Sequence, residues 1–173
     1  DFRQNTYLDG VKIMAYAFIR TTKDAALKDK YVDTLVMIYD KRAEYFPMGK
    51  NGSQVGNIMG RKGLDLIKWA PNRYEEAYTA LKQAIDMDGN NANYGFIDSY
   101  FSLVITMVKN GKLEESTILE EYGRLMEIVD YNIKVNTETA NEKLLGNFNT
   151  TKANLDAAVQ PYANCEDLVR IYQ

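Results

Sequence analysis

The chain of 173 residues contains no histidine and a single cysteine, and these two absences exclude several kinds of site. Without histidine there is no Ser-His-Asp triad, no histidine general acid or base, and no ordinary zinc site. Cys165 stands alone, so it has no partner for an internal disulfide, and it is interpreted as a structural thiol. The sequence therefore predicts a protein that is not an enzyme and that uses no cofactor or metal.

Long hydrophobic runs and clustered positive charge are also missing. No stretch of about 18 apolar residues occurs, so no membrane-spanning segment is predicted. The net charge is −3, and no face of the chain concentrates lysine and arginine, which argues against nucleic acid as a partner. The remaining composition, 46% hydrophobic and 26% charged, is typical of a globular fold.

Proline is scarce, and its three positions mark the limits of helices. Pro47, Pro71 and Pro161 each fall between segments whose apolar residues follow helical spacing. No alternating strand pattern interrupts these segments. The sequence predicts an all-α fold with helices near residues 5–20, 24–46, 53–69, 71–88, 92–109, 114–135, 138–159 and 164–172. Residues 48–53 are predicted to form a flexible loop without strands.

Capping residues support these limits. Thr139 and Glu142 have the spacing of a capping box at the start of a helix. Gly49, Gly89 and Gly111 stand where helix ends favour a left-handed residue. Seven to eight helices joined by short turns are expected to pack as antiparallel neighbours.

An internal similarity appears when Gly10 is placed on Gly63, which aligns residues 9–16 with residues 62–69. Each segment is followed by a turn and a second amphipathic helix. Such self-similarity is typical of stacked helical units that bury their apolar faces on one another. Gly63, and more weakly Gly10, are therefore predicted to lie at close helix–helix contacts.

The segment 73–86 resembles the second helix of the tetratricopeptide repeat, because Tyr74, Ala77, Leu81 and Ala84 fall on the positions of that motif. The segments 100–107 and 109–115 are similar to a first helix and its turn. Segments 7–10, 60–63 and 165–172 are similar to a branch of tetratricopeptide proteins from the envelope of anaerobic Gram-negative bacteria.

This resemblance implies an α-solenoid of tetratricopeptide-like hairpins, with residues 1–173 forming one domain. It implies a protein- or peptide-binding scaffold located in the periplasm or cell envelope, with the cytoplasm as the alternative. Carrying the family's binding groove over position by position selects Asn57, Arg61, Leu64, Lys68, Asp98, Phe101, Ile105 and Lys109. Arg61 and Lys68, on either side of Leu64, are expected to clamp a carboxylate or an acidic peptide.

Thirteen tyrosines leave a second function open, since exposed aromatic rings stack on sugars. The alternative is a glycan-binding helical module of an envelope lipoprotein. The acidic stretch 86–90 and the glycines between residues 49 and 63 match neither a calcium loop nor a phosphate loop, because their spacing is wrong for both.

The chain is also predicted to be a piece of a longer solenoid. It begins Asp1-Phe2-Arg3 without an initiator Met, and the apolar residues of the helix predicted at 164–172 have no partner helix in the sequence.

Overall fold

The amphipathic segments form helices throughout the part of the chain that the structure describes. The structure is a computed structural model, and it describes residues 3–163. Its helices are α1 (Gln4–Lys12), α2 (Ala25–Tyr45), α3 (Val55–Trp69), α4 (Tyr74–Asp88), α5 (Tyr94–Lys109), α6 (Ser116–Glu138) and α7 (Glu142–Val159). The all-α prediction is confirmed for these residues. The helix predicted at 164–172, Cys165, and the inference of a longer solenoid that depends on them lie outside the described residues.

Helix α1 continues directly into a π-helical segment, Ile13–Ile19. Segments of this kind are uncommon, and they frequently occur at functional sites because they redirect side chains within a helix. Together the two pieces fill the helix predicted at 5–20. Three short 3₁₀ turns, at Pro71–Arg73, Gly89–Asn91 and Gln160–Tyr162, connect or end the other helices.

The segment between α2 and α3 departs from the prediction that this region has no strands. Met48–Gly49 (β1) and Gly52–Ser53 (β2) form a minimal antiparallel hairpin in which Met48 pairs with Ser53. Two residues per strand are too few to produce a recognisable alternating pattern. The Gln54 side chain stabilises this connection by donating to the backbone oxygen of Phe46 at 2.8 Å.

Two of the three predicted left-handed glycines are confirmed. Gly89 and Gly111 have positive φ, but the positive φ of the hairpin belongs to Gly52 and not to Gly49. The capping box predicted at Thr139 is wrong, because α6 extends to Glu138 and the side chain of Asn141 caps α7 by accepting from Leu144 N at 3.3 Å.

The chain forms two compact units, and the boundary between them in the sequence lies between Met87 and Asp88. The first unit contains α1 to α4, and the second contains α5 to α7. The prediction that residues 1–173 form a single domain stays a prediction. Among residues 3–163, no helix combines the length and the apolar character that crossing a bilayer requires.

In the first unit, α2, α3 and α4 pack on fully buried aliphatic side chains such as Leu35, Ile58, Leu66 and Leu81. The core excludes water, which supplies most of the stability of such a unit. Charged pairs join the same helices at the surface. Lys62 of α3 donates to Asp40 of α2 at 2.8 Å.

Arg73, in the turn before α4, adds a second charged link. Its guanidinium pairs with Asp33 of α2 and with Glu76 of α4, each at 2.6 Å. The Arg73 side chain is 24% exposed and that of Asp33 is 68% exposed, so solvent screens this pair and its contribution to stability is small. The pair with Asp33 links α2 to the turn before α4.

The second unit has an aromatic core. Tyr100 and Phe101 of α5 and Tyr122 of α6 are almost fully buried, and the Tyr122 hydroxyl donates to Asp156 of α7 at 2.7 Å. Phe148 of α7 packs on the ring of Tyr94 in a T-shaped pair. These contacts hold α5, α6 and α7 together as a three-helix layer.

Candidate functional site

A pocket opens in the first unit among α1, the π-helical segment, α2 and α3. Its volume is about 480 Å³, within the range of sites that hold small molecules or the side chains of a peptide. Leu8 and Val11 of α1, Ala15 of the π-helical segment and Leu64 of α3 form its apolar lining. With Tyr39 and Arg42 of α2, the pocket combines residues of all four elements, which only the folded unit brings together.

Three of the four residues that the sequence predicts for the first part of the groove line this pocket. Asn57, Arg61 and Leu64 lie on consecutive turns of α3 and face it. The exposed Arg61 is oriented by Asn57, whose Oδ1 accepts from Arg61 Nε at 3.1 Å. An arginine held in this way keeps further N–H groups for a ligand.

Lys68, the fourth of these residues, does not line the pocket. Its ammonium lies 4.6 Å from the ring centroid of Trp69 and 5.2 Å from that of Tyr16. Tyr16 belongs to the π-helical segment, lines the pocket and is 52% exposed. Lys68 thus adds its positive charge next to the aromatic edge of the pocket, with a cation–π interaction that stabilises this position.

Arg42 of α2 also lines the pocket, and it is almost completely buried, with 6% of its surface exposed. Its Nε has no hydrogen-bond acceptor among the described residues, and its guanidinium forms no ion pair with a described carboxylate. Burial, and secondly the positive charge of Arg61, lower the pKa of Arg42. An arginine nevertheless stays charged in proteins, so a cation lies here without a counterion among residues 3–163.

The acidic residue of the pocket, Asp65, is already engaged. It accepts a hydrogen bond from the hydroxyl of Tyr39 at 2.7 Å, and both residues line the pocket. Burial, and then the hydrogen bond to Asp65, raise the pKa of Tyr39 well above its ordinary value of 10.0. Tyr39 therefore remains a neutral donor to the Asp65 carboxylate.

Charge in the pocket is consequently unbalanced. Lys12, Arg42 and Arg61 contribute three positive charges, whereas Asp65 contributes one negative charge. Among the residues that the structure describes, Lys12 pairs only with Asp9, on the exposed surface of α1 at 3.4 Å. Both arginines line the same pocket, so their positive potentials add there. The arrangement favours binding of a negatively charged group.

The second set of predicted groove residues lies in the second unit. Asp98 of α5 accepts from the buried Thr151 of α7 at 2.9 Å, and Phe101 is 1% exposed. Ile105 is half-buried and Lys109 is exposed. Asp98 and Phe101 thus contribute to packing between helices, and the binding role of these four residues stays a prediction.

A cavity beside Asp98 and Phe101 is small. Its volume is about 150 Å³, which is below the usual size of a ligand pocket. No group of three or more carboxylate or thiol side chains among residues 3–163 has the arrangement of a metal site.

Arg42, Tyr39, Asp65 and Tyr16 were not predicted as site residues from the sequence. A signal for Arg42 was present, since it follows Leu35 by seven residues and Tyr39 by three, on the apolar face of α2. A charged residue on such a face requires a partner or a function. Tyr16 had no comparable signal, because its position depends on the π-helical segment.

Comparisons with known proteins give no further guide to this site, since no family model, no curated protein and no solved structure matches the chain.

Proposed function

We propose that this chain is a non-catalytic binding scaffold of the tetratricopeptide kind that takes a segment of a protein or peptide into the pocket of its first unit. The observation that carries the proposal is the convergence of Asn57, Arg61 and Leu64 on one pocket. The sequence alone predicts these three residues as groove residues. A location in the cell envelope belongs to the same proposal and rests on the resemblance alone.

The pocket offers a peptide two kinds of contact. Leu8, Val11 and Leu64 accept an apolar side chain, which leaves water on binding. Arg61 and, at the aromatic edge, Lys68 place positive charge beside this apolar lining. A peptide with an acidic residue next to an apolar one matches both features, and the charged contacts orient it.

A charge-reversed variant tests this proposal. The wild-type chain is used to isolate protein partners from envelope extract, and the affinity of the partner is then measured for Arg61→Glu/Lys68→Glu. We expect the double variant to bind at least about tenfold more weakly, because two attractive contacts become repulsive. Circular dichroism should show unchanged helicity, since both side chains are exposed.

The matched control is Lys23→Glu/Lys30→Glu, which makes the same change in charge at two exposed lysines that do not line the pocket. If both double variants lose affinity equally, only the net charge matters. If neither loses affinity, the assignment of the pocket as the binding site is wrong.

A glycan-binding role remains the second candidate, and one observation favours it. The exposed Tyr16 ring lines the pocket and packs edge-to-face against Trp69, with ring centroids 5.8 Å apart. An aromatic ring of this kind can stack on a sugar. Among the described tyrosines, however, only Tyr16, Tyr45 and Tyr131 are exposed, so few of them offer an open ring face to a sugar. Glycan-array binding that disappears in Tyr16→Ala would favour the glycan role over the peptide role.

A further inference from the structure

Arg42 is the residue of the pocket whose environment is hardest to explain as packing alone. A charged side chain that is removed from water loses favourable hydration, and proteins normally offset this with a carboxylate and hydrogen bonds. Arg42 is 6% exposed and has no such partner among residues 3–163. Burying this cation without a counterion lowers the stability of the free protein.

The residues around Arg42 increase this cost. Arg61 lies close enough for its charge to act on the Arg42 guanidinium, and the effect is repulsive. The Asp65 carboxylate would offset both charges, but Tyr39 donates to it at 2.7 Å, and it makes no ion pair with Arg42. Asp9, which pairs with Lys12, is exposed on α1 and does not line the pocket.

The position of Arg42 next to an open pocket distinguishes it from a buried structural arginine. It lines a space of about 480 Å³ whose other walls include Leu8, Val11 and Leu64. A ligand with an oxyanion on an apolar body would place the oxyanion against the guanidinium and its apolar part on these walls. Binding would then supply the counterion that the protein lacks.

We propose that the pocket is an oxyanion-binding site, in which Arg42 holds a carboxylate or phosphate group of an otherwise apolar ligand. This proposal uses the same pocket as the proposed function and adds the chemistry that the pocket recognises. The exposed Arg61 binds the solvent-facing side of the oxyanion, because Asn57 already orients the Arg61 guanidinium. The proposal differs from the groove predicted on α3, since the principal residue belongs to α2 and is buried.

Small probes test the proposal independently of any macromolecular partner. Hexanoate and hexyl phosphate carry the two oxyanions on the same apolar chain, and hexanamide is their neutral counterpart. Each is titrated into the full chain while amide chemical shifts are followed by NMR. We expect at least one of the two anions to give saturable shifts in α2, α3 and the π-helical segment. Hexanamide should bind at least tenfold more weakly.

Variants at Arg42 separate a binding role from a structural one. Arg42→Met keeps the length of the side chain and removes the charge. We expect this variant to bind the preferred anion at least tenfold more weakly and to melt at the same temperature as the wild type or at a higher one. Arg42→Lys retains the charge but loses the bidentate geometry, so it should bind the preferred anion with intermediate affinity. If Arg42→Met does not fold, the affinity of Arg42→Lys still tests the role of the guanidinium.

The proposal is overturned if hexanamide binds as tightly as both anions, or if Arg42→Met and Arg42→Lys bind the preferred anion as tightly as the wild type. It is also overturned if Arg42→Met binds normally but melts at a lower temperature, because Arg42 would then be structural. The relative affinities of hexanoate and hexyl phosphate identify the preferred oxyanion. If an anion binds but the charge-reversed variant Arg61→Glu/Lys68→Glu retains its protein partner, the proposed function fails while this inference stands.

Discussion

A glycine in the middle of α3 determines how closely α3 and α4 approach each other. Gly63 is buried, and a Cβ atom at this position would lie 2.5 Å from Cγ of Leu81 and 3.2 Å from the carbonyl oxygen of Ala77. Leu81 is itself fully buried and cannot move aside without disturbing the core. The prediction that Gly63 lies at a tight helix–helix contact is confirmed.

Replacing this glycine should therefore destabilise the first unit. We expect Gly63→Leu to lower the free energy of unfolding by about 1–3 kcal/mol, because the new side chain overpacks the contact. Gly146→Leu is the matched control, since Gly146 lies within α7 and a Cβ there meets nothing within 4 Å. Leucine favours a helix over glycine, so the control should gain roughly 0.5–1 kcal/mol. Urea unfolding measures both, and equal stabilities would contradict the close packing at Gly63.

Gly63 and Arg42 show which structural roles of single residues can be predicted from the sequence and which cannot. The position of Gly63 followed from the repeat alignment, because a small residue recurs where stacked helices touch. The close contact predicted at Gly10 is not found, since a Cβ there would meet only the Ile38 side chain, at an ordinary 3.4 Å. The burial of Arg42 without a carboxylate partner among the described residues did not follow, because the spacing along α2 does not show which side chains of α1 and α3 face it. Hydrogen bonds between helices are not encoded in the spacing along one helix.

Among the elements, α5 and α7 are joined by a polar contact that the sequence did not predict. Thr151 of α7 is fully buried, and its Oγ1 donates to Oδ2 of Asp98 at 2.9 Å. Asn154 Nδ2 approaches the other oxygen of Asp98 at 3.4 Å. The carboxylate is therefore satisfied mainly by α7, which fixes the register of the two helices.

Removal of the Thr151 hydroxyl should test this contact. We expect Thr151→Val to cost about 1–2 kcal/mol of stability, because Asp98 loses its better donor while the side-chain volume hardly changes. Thr150→Val is the control, since Thr150 is exposed and its hydroxyl donates within α7 to Gly146 O. The control should stay within about 0.5 kcal/mol of the wild type. If thermal unfolding shows the same small change for both variants, Asp98 does not depend on α7.

The limits of the elements were largely predictable, whereas their irregular parts were not. Helices α2 to α5 begin and end close to the predicted positions because apolar spacing, proline and glycine agree there. The Met48–Ser53 hairpin and the π-helical segment Ile13–Ile19 were not predicted from the sequence. The hairpin is held by the Gln54 side chain, which donates to the backbone oxygens of Phe46 at 2.8 Å and Met48 at 3.2 Å, and the spacing of apolar residues does not reveal such contacts.

For the chain as a whole, the fold class followed from composition and periodicity, but the binding site followed only in part. The α3 contribution, Asn57, Arg61 and Leu64, was predicted from the resemblance to tetratricopeptide repeats. The α1 and α2 contributions were not, because no motif identified which face of those helices meets α3. The first unit thus contains both the pocket and the unpaired cation on which the proposed function and the further inference rest.

Hydrogen exchange measured on the full chain, with and without its isolated partner, locates the binding surface directly. Amides that become buried or better hydrogen-bonded in a complex exchange more slowly. We expect new protection in three segments around the pocket: residues 8–19, residues 39–46 and residues 57–68. Protection confined to residues 94–159, or no change in any of the three segments, would contradict the assignment of the first unit as the binding site.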